Sequence, residues 1–309
     1  MKNFILKILL FLIPVFLYVG YCEYFLRNMP SQYRQKRDQL IENSDSIQVL
    51  ILGSSHAQDG VDPETFSLYA HNMAFGSQSI YFDKKITEKY LPQLPKLKYV
   101  LLTFDYNSLF FDHEPSRDFF YYYYYGIPYR NHNFWRESLL QYSTVYPPRQ
   151  ALSIIVQNKF VSPVRLKKGY PEFRSSDINP EDVTSPVLNK MRADMFNRTA
   201  ENIEIRDDVL LDLESLIAYL IDKDIVPILV TYPAYTTFRD FLNKEIVENN
   251  NQIADYLQQK YPILYLNYFE DNDFSVADYF NCDHLSSLGA VKLSKKIDAE
   301  INKIEQKRN

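Results

Sequence analysis

The stretch "VLILGSSHAQDG", residues 49–60, sets the reading of the whole chain. Four apolar residues run without alternation into Gly53, two serines and a histidine, as a strand buried on both faces does when it ends in a polar turn. Further runs of the same kind follow: "IQVLILG" itself at 47–53, "KYVLLTFD" at 98–105, "IVPILVTYP" at 225–233 and "ILYLNYF" at 263–269. Between them lie helical patterns. In "RDDVLLDLESLIAYLIDKD" (206–224), Leu210, Leu213, Ile217, Leu220 and Ile221 share one face, and residues 238–261 and 286–306 read as helices too. Strands alternating with helices predict an α/β fold, with a mostly parallel sheet covered by helices on both sides.

In such sheets the turns after the strands project from the carboxyl edge, where ligands bind. Ser55 lies on one of these turns, close to the N–H groups of the helical turn that follows, and is placed to act as a nucleophile. A Gly-Ser-Ser turn alone is also an ordinary polar bend. Five histidines are candidate bases. His56 adjoins Ser55, but neighbouring side chains on a turn point apart. His71 and His132 show no partner. His113, in "FDHEP" with Asp112 and Glu114, reads as a solvated loop, because three adjacent residues rarely converge on one metal. His284, in "YFNCDHLSSLGAVKLS", follows the last strand and precedes the last helix, so it reaches the same sheet edge as Ser55. Asp283 and Asn281 can each fix its tautomer, and Asp283 can equally cap the following helix.

The run "FILKILLFLIPVFLYVGY" (4–21) is long enough to cross a bilayer and is followed by no small-residue cleavage site, so residues 1–25 read as an uncleaved anchor. Residues 26–45 read as a juxtamembrane tether, and 46–309 as the α/β domain. A stretch at about 110–200, holding "FFYYYYYGIPYRNHNFW", interrupts its rhythm as an aromatic-rich insertion. Lys2 and Lys7 precede the helix while Arg27, Arg34, Lys36 and Arg37 follow it, so the positive-inside count alone puts the C-terminal domain in the cytoplasm, and an outward-facing domain has to be argued from its chemistry. A net charge of −5, spread without blocks, excludes nucleic acid as a partner class. The two cysteines, Cys22 and Cys282, are placed too far apart in role and region to read as a disulfide.

The early "GSS" after the first strand and the late "DHL..LGA" before the C-terminal helix resemble the SGNH (GDSL-type) hydrolase superfamily. The likeness is greatest to its membrane-anchored bacterial envelope branch, the alginate O-acetylation proteins and the D-alanyl transfer proteins of teichoic acid synthesis. It covers about residues 46–110 and 222–305 and implies a flavodoxin-like three-layer α/β/α fold. It implies Ser55 as nucleophile and His284 as base. The supporting carboxylate usually stands three residues before the histidine, where this chain has Asn281, so Asp283 becomes the expected acid. The oxyanion hole is implied to use the Ser55 N–H, Gly76 in "HNMAFGSQS" and Asn107 in "TFDYNSLF".

Two functions follow as expectations. One is acyl transfer to or from an envelope or capsular glycan, by an inner-membrane protein with its domain on the extracytoplasmic side. Such a protein needs no cofactor or metal and would work beside a multi-spanning acyltransferase. Tyr121, Tyr125 and Trp135, with their tyrosine and phenylalanine neighbours, would stack on sugar rings, although alternate tyrosines of the run can instead pack in a core. The other expectation is a module that keeps the fold and binds or assembles without catalysis.

Overall fold

The computed structural model describes residues 2–28, 30–111, 117–130, 164–171, 179–200 and 205–308. The chain divides into two compact units, one made of Met1–Arg34 and Pro115–Val164, the other of Gln35–Glu114 and Arg165–Asn309.

The second unit is built on a sheet of five parallel strands: β1 (Val49–Ile51), β2 (Ala70–Asn72), β3 (Tyr99–Thr103), β4 (Val226–Thr231) and β5 (Leu264–Asn267). Their order across the sheet is β2-β1-β3-β4-β5, the flavodoxin-like arrangement in which the direction of strand addition reverses between β1 and β3. The apolar runs expected at 47–53, 98–105, 225–233 and 263–269 supply four of the strands. Residue pattern missed β2, whose three residues include His71 and Asn72.

Val49 and Ile51, Tyr99 and Leu101, and Ile228 and Val230 face one side of the sheet, where they pack with Ala57, Leu293, Ile297 and Ile301. Ala57 lies on α3 (Ser55–Gly60), and the last three on α9 (Ser287–Arg308). The alternate positions, Leu50, Val100 and Leu229, are equally buried and face the other side. There α4 (Ile80–Tyr90) packs on α6 (Asp207–Asp222), and α6 packs on β4. The three layers follow from these two apolar faces. The helix expected over 238–261 is two helices, α7 (Thr236–Phe241) and α8 (Lys244–Lys260), because Asn243 accepts the Glu245 N–H at 3.0 Å and starts a new helix.

Two expectations change here. Residues 26–45 are more than a tether: α2 (Gln32–Glu42) carries Lys36, 1% exposed, whose ammonium donates to the Asn72 carbonyl at 3.2 Å and the Ala74 carbonyl at 2.7 Å. Those bonds satisfy backbone at the open edge and carboxyl end of β2. The region at about 110–200 is not one insertion either. Arg165–Ala200 falls in the α/β unit, where α5 (Pro186–Thr199) packs on α7.

In the first unit, α1 (Lys2–Arg27) contains a 20-residue stretch, Leu6–Phe25, long and apolar enough to cross a membrane. Its side chains are largely exposed, with 11% of that stretch buried, unlike the core helix of a globular domain. The tyrosine run forms a π-helical turn, Tyr121–Tyr125, ended by Gly126 in the left-handed region. Tyr33 stacks on Phe120 at 5.1 Å between ring centroids, meets Tyr121 edge-on at 5.4 Å and lies 5.8 Å from Tyr125. Both Cys22 and Cys282 are free thiols.

Two outcomes are expected. Full-length protein should stay with the membrane fraction after washing with high salt and alkaline carbonate and be released by detergent; release by the washes alone would contradict the reading of α1. Lys36→Ala leaves two buried carbonyls unsatisfied and should lower the stability of the α/β unit by about 1–3 kcal/mol, read from denaturant unfolding.

Candidate active site

The site begins at Gly53, where β1 ends. Its φ of 121° is open to glycine alone, and a Cβ there would meet Thr103 Oγ1, at the end of β3, at 2.0 Å. That close approach sets the turn against the neighbouring strand. Ser54 then caps α3 by accepting the His56 N–H at 3.3 Å. Ser55 is the first residue of the helix, so its N–H has no carbonyl one turn back.

From the far end of the sequence comes the loop before α9. Asn281 Oδ1 accepts the Asp283 N–H at 3.1 Å and the His284 N–H at 2.9 Å, folding the loop into a tight turn. Ser286, and not Asp283, caps α9, taking the Gly289 N–H at 3.3 Å. Asp283 is thereby left for the site. Its Oδ1 lies 2.9 Å from His284 Nδ1, and His284 Nε2 lies 2.8 Å from Ser55 Oγ. Asn281 Oδ1 stands 3.2 Å from the same Nδ1, farther than the carboxylate.

Two further neighbours complete the site, Arg192, which the residue pattern does not mark, and His56, which it marks only as too close to Ser55 to serve as its base. Arg192, on α5, donates from Nε to Asp283 Oδ2 at 2.9 Å. His56, turned away from Ser55 as expected for adjacent residues, places its Nδ1 2.5 Å from Asp105 Oδ2, just beyond β3, and its Nε2 3.7 Å from Asp283 Oδ2. The two imidazole rings stand 4.7 Å apart, edge to face. Asp105 is held in turn by the Tyr232 N–H at 3.1 Å.

Burial works against charge on His56, yet the Asp105 and Asp283 carboxylates outweigh it and raise its pKa to about 10. Burial also favours the neutral acid at Asp283, but His284 and His56 hold its pKa well below the ordinary carboxylate range. For His284, burial wins: its pKa falls below the usual imidazole value, with the His56 and Arg192 charges adding to the effect.

A cavity of about 390 Å³ opens beside Ser55, lined also by Gln78, Asp83, Asn107, Phe111, Arg192, Met195 and Phe196. Of the expected oxyanion donors, Ser55 and Asn107 border this cavity. Gly76 does not act as a free donor: its N–H is bound to Gln58 Oε1 at 2.6 Å. Tyr121 and Tyr125 are corrected as well, since both are buried in the first unit with aromatic neighbours against their rings and offer no open face to a sugar. Trp135, His113, Asp112, Glu114, His132 and Phe134 lie outside the described residues. His71 is buried on β2 with Nε2 on the Lys36 carbonyl, away from the site.

The ligand atoms of His56, Asp283 and His284 fall within 4.8 Å of one another, near enough for one cation to be shared. Those atoms already pair with Asp105, Ser55, Arg192 and each other, an arrangement suited to passing a proton from the Ser55 hydroxyl.

No protein-family model and no curated protein matches the chain. Among solved structures, it is similar to one from Bacteroides fragilis, described as a "putative acylhydrolase". The identity is 13% and the TM-score 0.43, over 87% of this chain and 96% of that one, a likeness too distant to assign an activity.

A group whose pKa rises on folding binds more protons folded than unfolded. His56 therefore adds stability that is complete below its unfolded pKa of about 6.5 and is lost as pH climbs through about 10. Unfolding midpoints should fall over that window in the unaltered protein and fall less steeply in Asp105→Asn; parallel pH profiles would contradict the charge assigned to His56.

Proposed function

We propose that the chain is a membrane-anchored serine acyl-ester enzyme of SGNH type that moves an acyl group to or from a hydroxyl of an envelope or capsular polysaccharide. The observation that carries the reading is the line from Ser55 Oγ through His284 to Asp283, with contacts of 2.8 and 2.9 Å. The likeness of the two end motifs to envelope acyl-transfer proteins supports the glycan acceptor, and α1 supports work at the inner membrane. The domain then faces the extracytoplasmic side, beside a multi-spanning acyltransferase that supplies the acyl group.

Ser55 Oγ attacks the ester carbonyl carbon while its proton passes to His284 Nε2, and Asp283 stabilises the imidazolium that forms. The negative charge on the carbonyl oxygen is met by the Ser55 N–H and the Asn107 side-chain amide. Collapse expels the first alcohol, which takes the proton back from His284. A sugar hydroxyl then repeats the sequence in reverse, giving transfer, or water does so, giving hydrolysis. The cavity beside Ser55 has room for the acyl group against Phe111, Met195 and Phe196.

A fluorophosphonate probe tests this reading, because it reacts with a serine only where a base takes the proton. Labelling should be lost in Ser55→Ala and His284→Ala and kept in Ser54→Ala. Its rate should be half-maximal below pH 6.5, since the lowered pKa of His284 leaves the ring neutral at lower pH than usual. Labelling that survives Ser55→Ala would overturn the assignment. Absence of labelling in the folded full-length protein within its native membranes would favour the non-catalytic glycan-binding module instead.

A further inference from the structure

The Ser55–His284–Asp283 line leaves a second buried imidazole beside it unexplained. Both nitrogens of His56 face carboxylate oxygens, Nδ1 on Asp105 at 2.5 Å and Nε2 on Asp283 at 3.7 Å. The first is a hydrogen-bond distance and the second an ion-pair distance, so a proton on each nitrogen faces a carboxylate on both sides of the ring. The partners are fixed independently. Asp105 receives the Tyr232 N–H through its other oxygen, and its own N–H donates to Ser108 Oγ at 2.8 Å. His56 is rooted in the first turn of α3, next to Ser55. We propose that Asp105 and His56 form a positioning pair that holds an imidazolium against the outer oxygen of Asp283, keeping the inner oxygen aimed at His284 Nδ1. The inference rests on the acyl-ester reading for its purpose, though not for its chemistry.

Two effects follow from this geometry. With His56 and Arg192 both on Oδ2, Asp283 cannot rotate without breaking contacts to two cations, so His284 keeps the tautomer with Nε2 open to the serine proton. The two cations also offset part of the field that Asp283 exerts on His284, which lowers the pH at which that ring becomes a base. Three other groups near the pair are neutral at pH 7. Tyr106, beyond β3, and Tyr232, beyond β4, are pushed far up by burial, and Cys282 on the histidine loop is pushed up to about 12 by the same cause. Asn281 is neutral. The charges acting on His284 are Asp283, which favours its protonated form, and His56 and Arg192, which oppose it; Asp83, on the wall of the same cavity, is pushed up to about 7 by burial.

The test uses the full-length protein in detergent with ¹⁵N-labelled histidine, followed by NMR from pH 4 to 9.5, alongside the pH profile of kcat/KM on an activated acyl ester. His56 should remain doubly protonated through pH 9. The titration midpoint of His284 should rise by about one unit in His56→Gln, and rise also in Arg192→Gln, whose side chain is partly exposed. The acid limb of kcat/KM should move by the same amount as the NMR midpoint. A merely structural pair would lower folded yield and leave the midpoint where it was. Deprotonation of wild-type His56 near pH 6.5, or an unmoved His284 midpoint in folded His56→Gln, would overturn the proposal. If His56→Gln does not fold, the wild-type His56 titration decides alone. Absence of ester turnover combined with the expected titrations would fail the acyl-ester reading and leave the pair standing.

Discussion

The hydrogen bond from Ser55 to His284 joins residues 229 positions apart, and nearly every feature of the α/β unit serves to make it short. A parallel sheet sends all its strands toward one edge, so the turn after β1 and the loop after β5 arrive on the same side of the domain. Gly53 lets the first turn press against Thr103. The second loop is folded by the Asn281 side chain and anchored by α9, whose start is capped by Ser286. Remove the glycine or the loop turn and the two side chains remain in the sequence but lose their meeting point.

Charge arranged around Asp283 is the second constraint. One buried carboxylate faces His284, His56 and Arg192, which come from three different parts of the chain. A lone carboxylate at that depth would be driven toward its neutral form, and these neighbours hold it ionised. The cluster therefore both stabilises the unit and prepares the base, which links the pH dependence of folding to that of the chemistry.

Much of the fold was legible in residue pattern, because strands buried on both faces leave unbroken apolar runs such as those at 47–53 and 225–233. β2 was not, since three residues carrying His71 and Asn72 give no such run, and their burial depends on distant partners such as Lys36, Ala57 and Val61. The same limit hid Lys36 itself, which reads as one charge in a polar tether. At the site, Ser55, His284 and Asp283 were marked by position at strand and helix ends, and the structure brings them together. His56 was set aside because it points away from Ser55, which it does, toward Asp105. The signal available was a carboxylate closing the "TFD" end of β3, on the strand beside β1. Arg192 carried no signal, as its partner is 91 residues away. The tyrosine run misled: its density of rings expresses packing around Tyr33, not an open platform.

The most direct measurement is to trap the covalent intermediate. The full-length protein would be mixed with an activated acyl ester, quenched in acid within milliseconds to seconds, digested, and the acylated peptide sequenced by mass spectrometry. The account predicts one acyl mass on Ser55, accumulating before alcohol release reaches steady state. An acyl group on Ser54 or on another residue, or alcohol released with no acylated serine at any time, would contradict it.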